Sequence, residues 1–577
     1  MAEFDNPSAP MNETQGDPSA RNISAPPRRR AITAAGLIIV LAGIAAYHNS
    51  LNGPFIFDDK GSITENPTIR SLWPIWEVFQ PPAGGVAVQS RPIVNLSLAV
   101  NYAVGELDVL GYHVLNLVVH ILAGLTLFGV IRRTLHLAVM PEHVARASLP
   151  LAFVAALIWT VHPLTTEAVT YIIQRCESMM GLFYLLTLYC VIRGATVSRP
   201  GLWYLAAVVA CWLGVGCKEV AATAPLIVLV YDRVFLARSF KDVFRRRWRL
   251  YVPLAAAWLL LAALVMPVMS TVGSRGGIGG MIYWKALRYY ALTQSIMIMR
   301  YLGLCFWPHP LIMDYGILPT VKIALSVPQT IAMVLLLVGT VLAFRNRPWL
   351  GFLGVWFFAI LAPSSSFVPL LIQPAAEKRM YLPLAAVVVV VVLGSYTLGR
   401  RIWDRLGAPE HLREVVGQLA VLAMGVAVAL ALGRVTVRRN WDYRSGLAIW
   451  DDTIAKQPNN WRAWLCRGVA HGNRSSHDKA ISDFNRAIEL YPAYTRAFYN
   501  RAIMYEKKGR HQESIDDFGK AIELKPNYAE AYYGRAMLHL AGGDYQKARA
   551  DAEKAQAMGY KFPARFLEAI GKGPGGN

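Results

Sequence analysis

Two adjacent acids, Asp58 and Asp59, follow the aromatic-aliphatic run Phe55-Ile56-Phe57 in the stretch FIFDDKGSITENP, just past the first long apolar segment. Neighbouring carboxylates in similar surroundings repel, which raises the pKa of one and suits it to taking a proton. A carboxylate so placed can deprotonate a hydroxyl and stabilise positive charge developing on a nearby carbon. The pattern casts Asp58 as the base and Asp59 as a residue that orients an acceptor or binds a cation. The plainer alternative makes Asp59 a turn or helix cap before Gly61 and Ser62. Cations recur beside the ends of other apolar segments, at Arg91, Arg175, Lys218 and Arg379. Arg offers phosphate a forked contact and Lys a point contact. Each of the four could instead snorkel to lipid headgroups or pair with a nearby Glu. His162 and Glu167, five residues apart, resemble metal ligands only weakly and fit better as a pair that holds a loop by hydrogen bonds. Glu177, Glu219, Asp314 and Glu377 complete an acidic lining. No metal site is predicted, and a divalent cation at the acid pair is left open.

The elements that must position these groups are membrane helices. The chain has 577 residues, 55% hydrophobic and only 16% charged, a composition that needs many apolar runs. Its formal charge of +21 sits in loops, as at Arg28, Arg29 and Arg30 and in the run from Arg233 to Arg249. Basic loops flanking apolar segments follow the positive-inside pattern and exclude a nucleic-acid stripe. The six cysteines lack metal-ligand spacing and read as small core residues. With about 20 apolar residues per crossing, eleven crossings are expected. They lie near 31–47, 112–131, 149–169, 177–193, 202–217, 220–236, 251–270, 325–344, 349–367, 380–399 and 415–433. Counting 285–307 as well would invert every later basic loop, so that segment is expected to be re-entrant or surface-lying. With Arg28, Arg29 and Arg30 inside, the N-terminus is cytoplasmic, and an odd count puts the C-terminal region on the opposite side, where the acids also gather. Charges at such membrane edges usually mark a site.

Pro458, Pro492 and Pro526 recur at the tetratricopeptide (TPR) period of 34 residues. Trp464, Phe498 and Tyr532 keep the same register, as do the small residues Ala487, Ala521 and Ala555. Arg467, Arg501 and Arg535 each precede an Asp (Asp483, Asp517, Asp551) by sixteen residues, which predicts one Arg–Asp tie per helical hairpin. Such stacks present a concave surface to peptides or helices. Arg462, Arg496, Tyr499 and Tyr533 are the groove candidates here, with ordinary packing or solvated roles as the alternative.

The stretches FIFDDKGSITENP, QSRPIVNLSLAVNYAVG, GYHVLNLVVH, VHPLTTEAV, GCKEVAATAPLIVLVYD and AAEKRMYLP, followed by the repeats, resemble one known family in its own order over most of 50–560. It is the family of transmembrane-and-TPR-containing protein O-mannosyltransferases, with the class C glycosyltransferase fold. The resemblance implies a polyprenyl-phosphate-linked sugar donor, chemistry on the non-cytoplasmic side, and a catalytic carboxylate in the first outer loop. The shorter repeat array suggests a bacterial relative in the inner membrane, with the array periplasmic. No Gly-rich nucleotide loop follows a strand, which argues against a soluble nucleotide-sugar donor. The expectation is therefore an all-α protein in four parts: a disordered 1–30, a membrane domain at 31–435, TPR repeats at 441–560 and a tail at 561–577. It would move mannose or another hexose to a protein hydroxyl held by the array, so its partners are the donor lipid and an acceptor protein. A lipid-linked glycan transporter or polymerase component, and a membrane-anchored TPR scaffold, are the alternatives. Truncation after about residue 440 should leave a transferase some activity on simple acceptors and leave a scaffold none.

Overall fold

The computed structural model describes residues 29–82, 87–237, 239–273, 280–316, 323–364, 373–407 and 409–571. The segment expected to be disordered, up to residue 28, lies outside them, as does most of 363–372. No strand occurs among the described residues, and the chain is all-α.

Among the described residues seven helices are long and apolar enough to cross a membrane: Arg29–Ser50, Val109–Leu135, Ile172–Ala195, Phe240–Pro267, Ser326–Asn346, Pro383–Arg405 and Glu410–Asp442. An eighth crossing is broken. Ser148–Val161 and Pro163–Thr170 meet at a 53° bend. The residue before a proline is driven out of helical backbone; His162 is extended (ψ 132°), and its ring takes the Leu164 amide at 3.2 Å. That bend turns Glu167 and Tyr171 back into the molecule. Two expected crossings are shorter apolar helices, Gly201–Cys217 and Pro348–Ala362. The eleventh, 220–236, is a succession of short turns around the eight-residue helix Ala224–Tyr231. Between the first two expected crossings lies a further apolar helix, Pro92–Gly105.

The bundle has two chemically distinct ends. At one, Arg133 lies over the Tyr189 ring and Arg193 over Trp203, while Arg247 and Tyr251 both reach Asp232. These are the basic loops. At the other end lie His162, Ser364, Pro374 and Ala376, and the helix Gly280–Phe306 runs across all of them. Tyr290 Oη donates to Ser364 O (2.5 Å), Gln294 Nε2 to Pro374 O (2.8 Å), and the Ala376 amide to Tyr301 Oη (2.7 Å). His162 Nε2 meets Cys305 O at 3.1 Å. These contacts, from residue 290 to residue 305, all fall on segments at this end of the bundle.

The repeats form helical hairpins from Trp461–Gly472 and His477–Leu490 through Ala529–Ala541 and Tyr545–Ala557. Each expected Arg–Asp tie is a two-point contact, as in Arg501 Nε and Nη2 to the two Asp517 oxygens, both at 2.7 Å. The expected tail opens with a further helix, Ala564–Gly571, whose Phe566 and Ile570 cover the last hairpin. Apolar packing continues across the expected 435/441 boundary. Ile449, Trp450, Ile454 and Ala463 belong to the hydrophobic core of the membrane bundle, whereas later repeats build cores of their own. A boundary drawn from repeat periodicity misses this, because periodicity reports which helices pair and not what their other faces cover.

Candidate functional site

Asp58 is aimed by a strained residue. Phe57 has φ 44°, left-handed backbone that bulky aromatics rarely adopt. Its ring is held edge-on by Trp450, with centroids 5.3 Å apart. The Asp58 amide donates to Tyr171 Oη at 2.8 Å, and the Tyr171 hydroxyl also supports the Asp58 carboxylate. Asp59 does different work. One of its oxygens accepts from Ile56 N (2.9 Å) and the other from Ile173 N (2.8 Å), stapling the loop after the opening helix to the entry of the helix at Arg175. Asp59 is fully buried and both its oxygens are taken by amides, so the structure corrects the expectation that it orients an acceptor or binds a cation.

Burial pushes the Asp58 carboxyl above the ordinary carboxylate range; Lys378, the Tyr171 hydroxyl and Arg462 oppose that shift, and Asp314 adds to it. Lys378 pairs with Glu167 at 3.3 Å, and its own amide donates to the other Glu167 oxygen at 3.0 Å. Arg462 reaches Asp314 at 3.2 Å from the first full repeat. Asp58, Asp314, Lys378 and Arg462 thus form one cluster of mixed sign where bundle and array meet. Glu377, close by, accepts from Ile312 N (2.6 Å) and Tyr315 Oη (2.8 Å), and burial raises it to about 7.

The cations named from sequence divide. Arg175 is buried, and each of its nitrogens meets a neutral oxygen, on Asn116 (2.9 Å), Asn101 (2.6 Å) and Tyr112 (3.0 Å). It ties three helices together and is corrected from phosphate ligand to internal brace. Arg91 and Lys218 form a second cluster, Arg91 with Glu219 (3.5 Å) and Lys218 with Glu177. Arg379 donates to Pro374 O (2.9 Å) and Gln373 O (2.7 Å). His162 and Glu167 have separate partners, and among the described residues no group of three His, Cys, Asp or Glu could hold a metal. Of the groove candidates, Arg462 faces the bundle instead, Tyr499 packs on Phe518 and Tyr528, and Tyr533 stacks on Tyr560. Arg496 is exposed and lies beside Tyr494. Lys378, Tyr171, Asn460 and Arg439 were missed. Lys378 alone had a signal, as the neighbour of Arg379 in AAEKRMYLP; Arg439 pairs with Asp442 (2.9 Å) and Asp452 (2.7 Å).

Asp59 yields the first expected result. Asp59→Ala leaves two buried amides without acceptors, at about 1–3 kcal/mol each, and should lower the melting temperature measured in detergent. Burial raises the Asp59 pKa from 3.8 to about 8, outweighing the amide bonds that lower it. The folded protein therefore holds a proton that the unfolded chain releases. Stability from this residue is full below the ordinary Asp pKa and is lost as pH rises through about 8. A melting series across that window should flatten in Asp59→Asn.

Residues 430–495, 495–528 and 518–550 match the tetratricopeptide repeat family. Mouse "Protein O-mannosyl-transferase TMTC3" is 24% identical over 496 residues, covering 79% of this chain and 51% of that protein. The chain is thus similar to TMTC proteins over most of its length. Caenorhabditis elegans "Protein O-mannosyl-transferase F38B6.6" is 22% identical over 475 residues, covering 79% of this chain and 63% of its own length. The chain thus spans about half the length of the mouse relative. Among solved structures, ArnT from Cupriavidus metallidurans bound to undecaprenyl phosphate aligns with a TM-score of 0.36 and 15% identity, over 86% of this chain and 81% of that one.

Proposed function

We propose that this chain is a membrane glycosyltransferase that moves a hexose, mannose in the first instance, from a polyprenyl-phosphate carrier to a protein hydroxyl. The observation that carries the reading is Asp58, strained into place and half-buried among Lys378, Arg462 and Asp314, directly beneath the repeats. The names of its TMTC relatives support the same chemistry. The end of the bundle opposite the basic loops would be non-cytoplasmic. Exposed Trp73, Trp76, Trp307 and Trp441 suit the headgroup region on that side.

In this reading the acceptor oxygen attacks the anomeric carbon while Asp58 takes its proton. The bond from that carbon to the phosphate oxygen breaks, and polyprenyl phosphate leaves with the electron pair. Lys378 supplies positive field where the departing charge develops. An apolar groove of about 600 Å³, between Gly280–Phe306, Ile323–Asn346, Pro348–Ala362 and Pro383–Arg405, has the chemistry to hold a prenyl chain. The exposed Arg496 and the concave repeat face would engage the acceptor protein.

The test uses the purified full-length protein in vesicles, polyprenyl phosphate mannose as donor and a Ser/Thr peptide as acceptor. Mannosylated peptide, detected by mass spectrometry, is the expected product. If the protein instead moves the intact lipid-linked sugar across the bilayer without making product, the transporter reading replaces this one.

A further inference from the structure

The segment LIMDYG, residues 311–316, is buried at every position and gripped from two sides. From the bundle, Glu377 Oε1 takes the Ile312 amide and the Tyr315 hydroxyl. From the array, Lys456 Nζ donates to Leu311 O (2.8 Å), Asn460 Nδ2 to Asp314 O (2.7 Å), and Arg462 pairs with the Asp314 carboxylate. Gly316 has φ 68°, and a Cβ there would sit 3.0 Å from the Asn460 side chain, so the approach requires glycine. Asn460 also starts the helix that carries Arg462, because its Oδ1 accepts the Arg462 and Ala463 amides at 3.1 and 3.3 Å.

Two of the gripping residues, Lys456 and Asn460, depart from the pattern of the array. At the 34-residue period, Lys456 corresponds to Leu490 and Leu524, and Asn460 to Tyr494 and Tyr528. Arg462 corresponds to Arg496 and then Glu530. Stacking of repeats therefore does not account for Lys456 and Asn460; contact with the 311–316 strap does.

We infer that Arg462 is a positioning residue of the transfer site: it holds Asp314 beside Asp58 and makes correct seating of the first repeat a condition of turnover. The inference rests on the transferase reading above. Asp58 is faced by Asp59 and Tyr171, by Lys378, by Asp314 on the strap, and by Arg462 and Cys466 on the repeat. The Arg462 charge favours the ionised Asp58 and the Asp314 charge disfavours it, so their removal has opposite signs.

The experiment measures vesicle-reconstituted full-length protein with polyprenyl phosphate mannose and a short Ser/Thr peptide, over a range of pH. R462Q should lose about tenfold to a hundredfold in kcat, keep the peptide KM, and shift the acid limb of the rate profile to higher pH. R462K should recover part of kcat. D314N should shift the acid limb to lower pH. Wild-type kcat in R462Q, or limbs that move the same way in R462Q and D314N, would overturn the inference. Where R462Q does not fold, R462K and D314N decide, and an unmoved limb in D314N overturns it. No transfer by the unmodified protein overturns the transferase reading and this inference together, whereas unchanged R462Q turnover overturns the inference alone.

Discussion

Asp58→Asn should cut sugar transfer by about 10²- to 10⁴-fold, the usual contribution of a positioned general base, while the protein melts at its normal temperature. The substitution keeps the side chain's shape and leaves the bond from the residue 58 amide to Tyr171 untouched, since that bond belongs to the backbone. Folding should therefore hold where Asp59→Ala weakens it, and the contrast between the neighbours separates chemistry from scaffolding. Loss of an interaction made in the transition state lowers kcat and kcat/KM together and leaves the donor KM unchanged. The pH profile gives a second reading. Burial raises the Asp58 pKa above its ordinary value, and the base acts only when deprotonated. Turnover should thus climb with pH above the range of an ordinary aspartate, then level. An acid limb at the ordinary Asp pKa, or transfer by Asp58→Asn near the wild-type rate, would remove Asp58 from the mechanism.

The features legible in the sequence were those written in local order. A 34-residue period announces the repeats because each hairpin repeats its own packing, and the sixteen-residue Arg–Asp spacing is confined to one hairpin. The acids at 58 and 59 could be noticed because they break an apolar context. Their division of labour could not, since it depends on the amide of Ile173, 114 positions away from Asp59. The surroundings of the cations were hidden for the same reason. Arg175 resembles a phosphate ligand by its place at a helix end, yet its neighbours Asn101 and Asn116 come from other helices and supply neutral oxygens. Lys378 and Arg379 are adjacent, and only the tertiary turn at Glu377 decides that Lys378 meets Glu167 beside Asp58 while Arg379 ties down its own loop. Arg462 was assigned to the array because it lies in the array; its partner Asp314 is 148 residues earlier in the chain.

That last contact changes what truncation should do. A chain stopped after residue 440 loses more than an acceptor platform. Ile449 and Trp450, 0% and 3% exposed, and Ile454 are packed into the bundle's core, and Trp450 holds the ring of Phe57 next to Asp58. Burial of each such side chain contributes about 1.5–3 kcal/mol, and the strained Phe57 backbone persists only while its surroundings over-determine it. Removal of 441–577 should therefore abolish transfer even to a free peptide, contrary to the expectation drawn from sequence. A chain stopped after Lys525 keeps Trp450, Lys456, Asn460 and Arg462 and two Arg–Asp ties, while losing the hairpin that carries Tyr533. It should retain free-peptide transfer and lose only the advantage of a protein acceptor over a peptide. Both truncations would be assayed in vesicles alongside the full chain, with expression and melting compared first. Equal residual turnover in the two would mean that the first hairpin is separable from the site. Turnover in the longer chain alone would make that hairpin part of the catalytic domain and move the boundary between bundle and array beyond it.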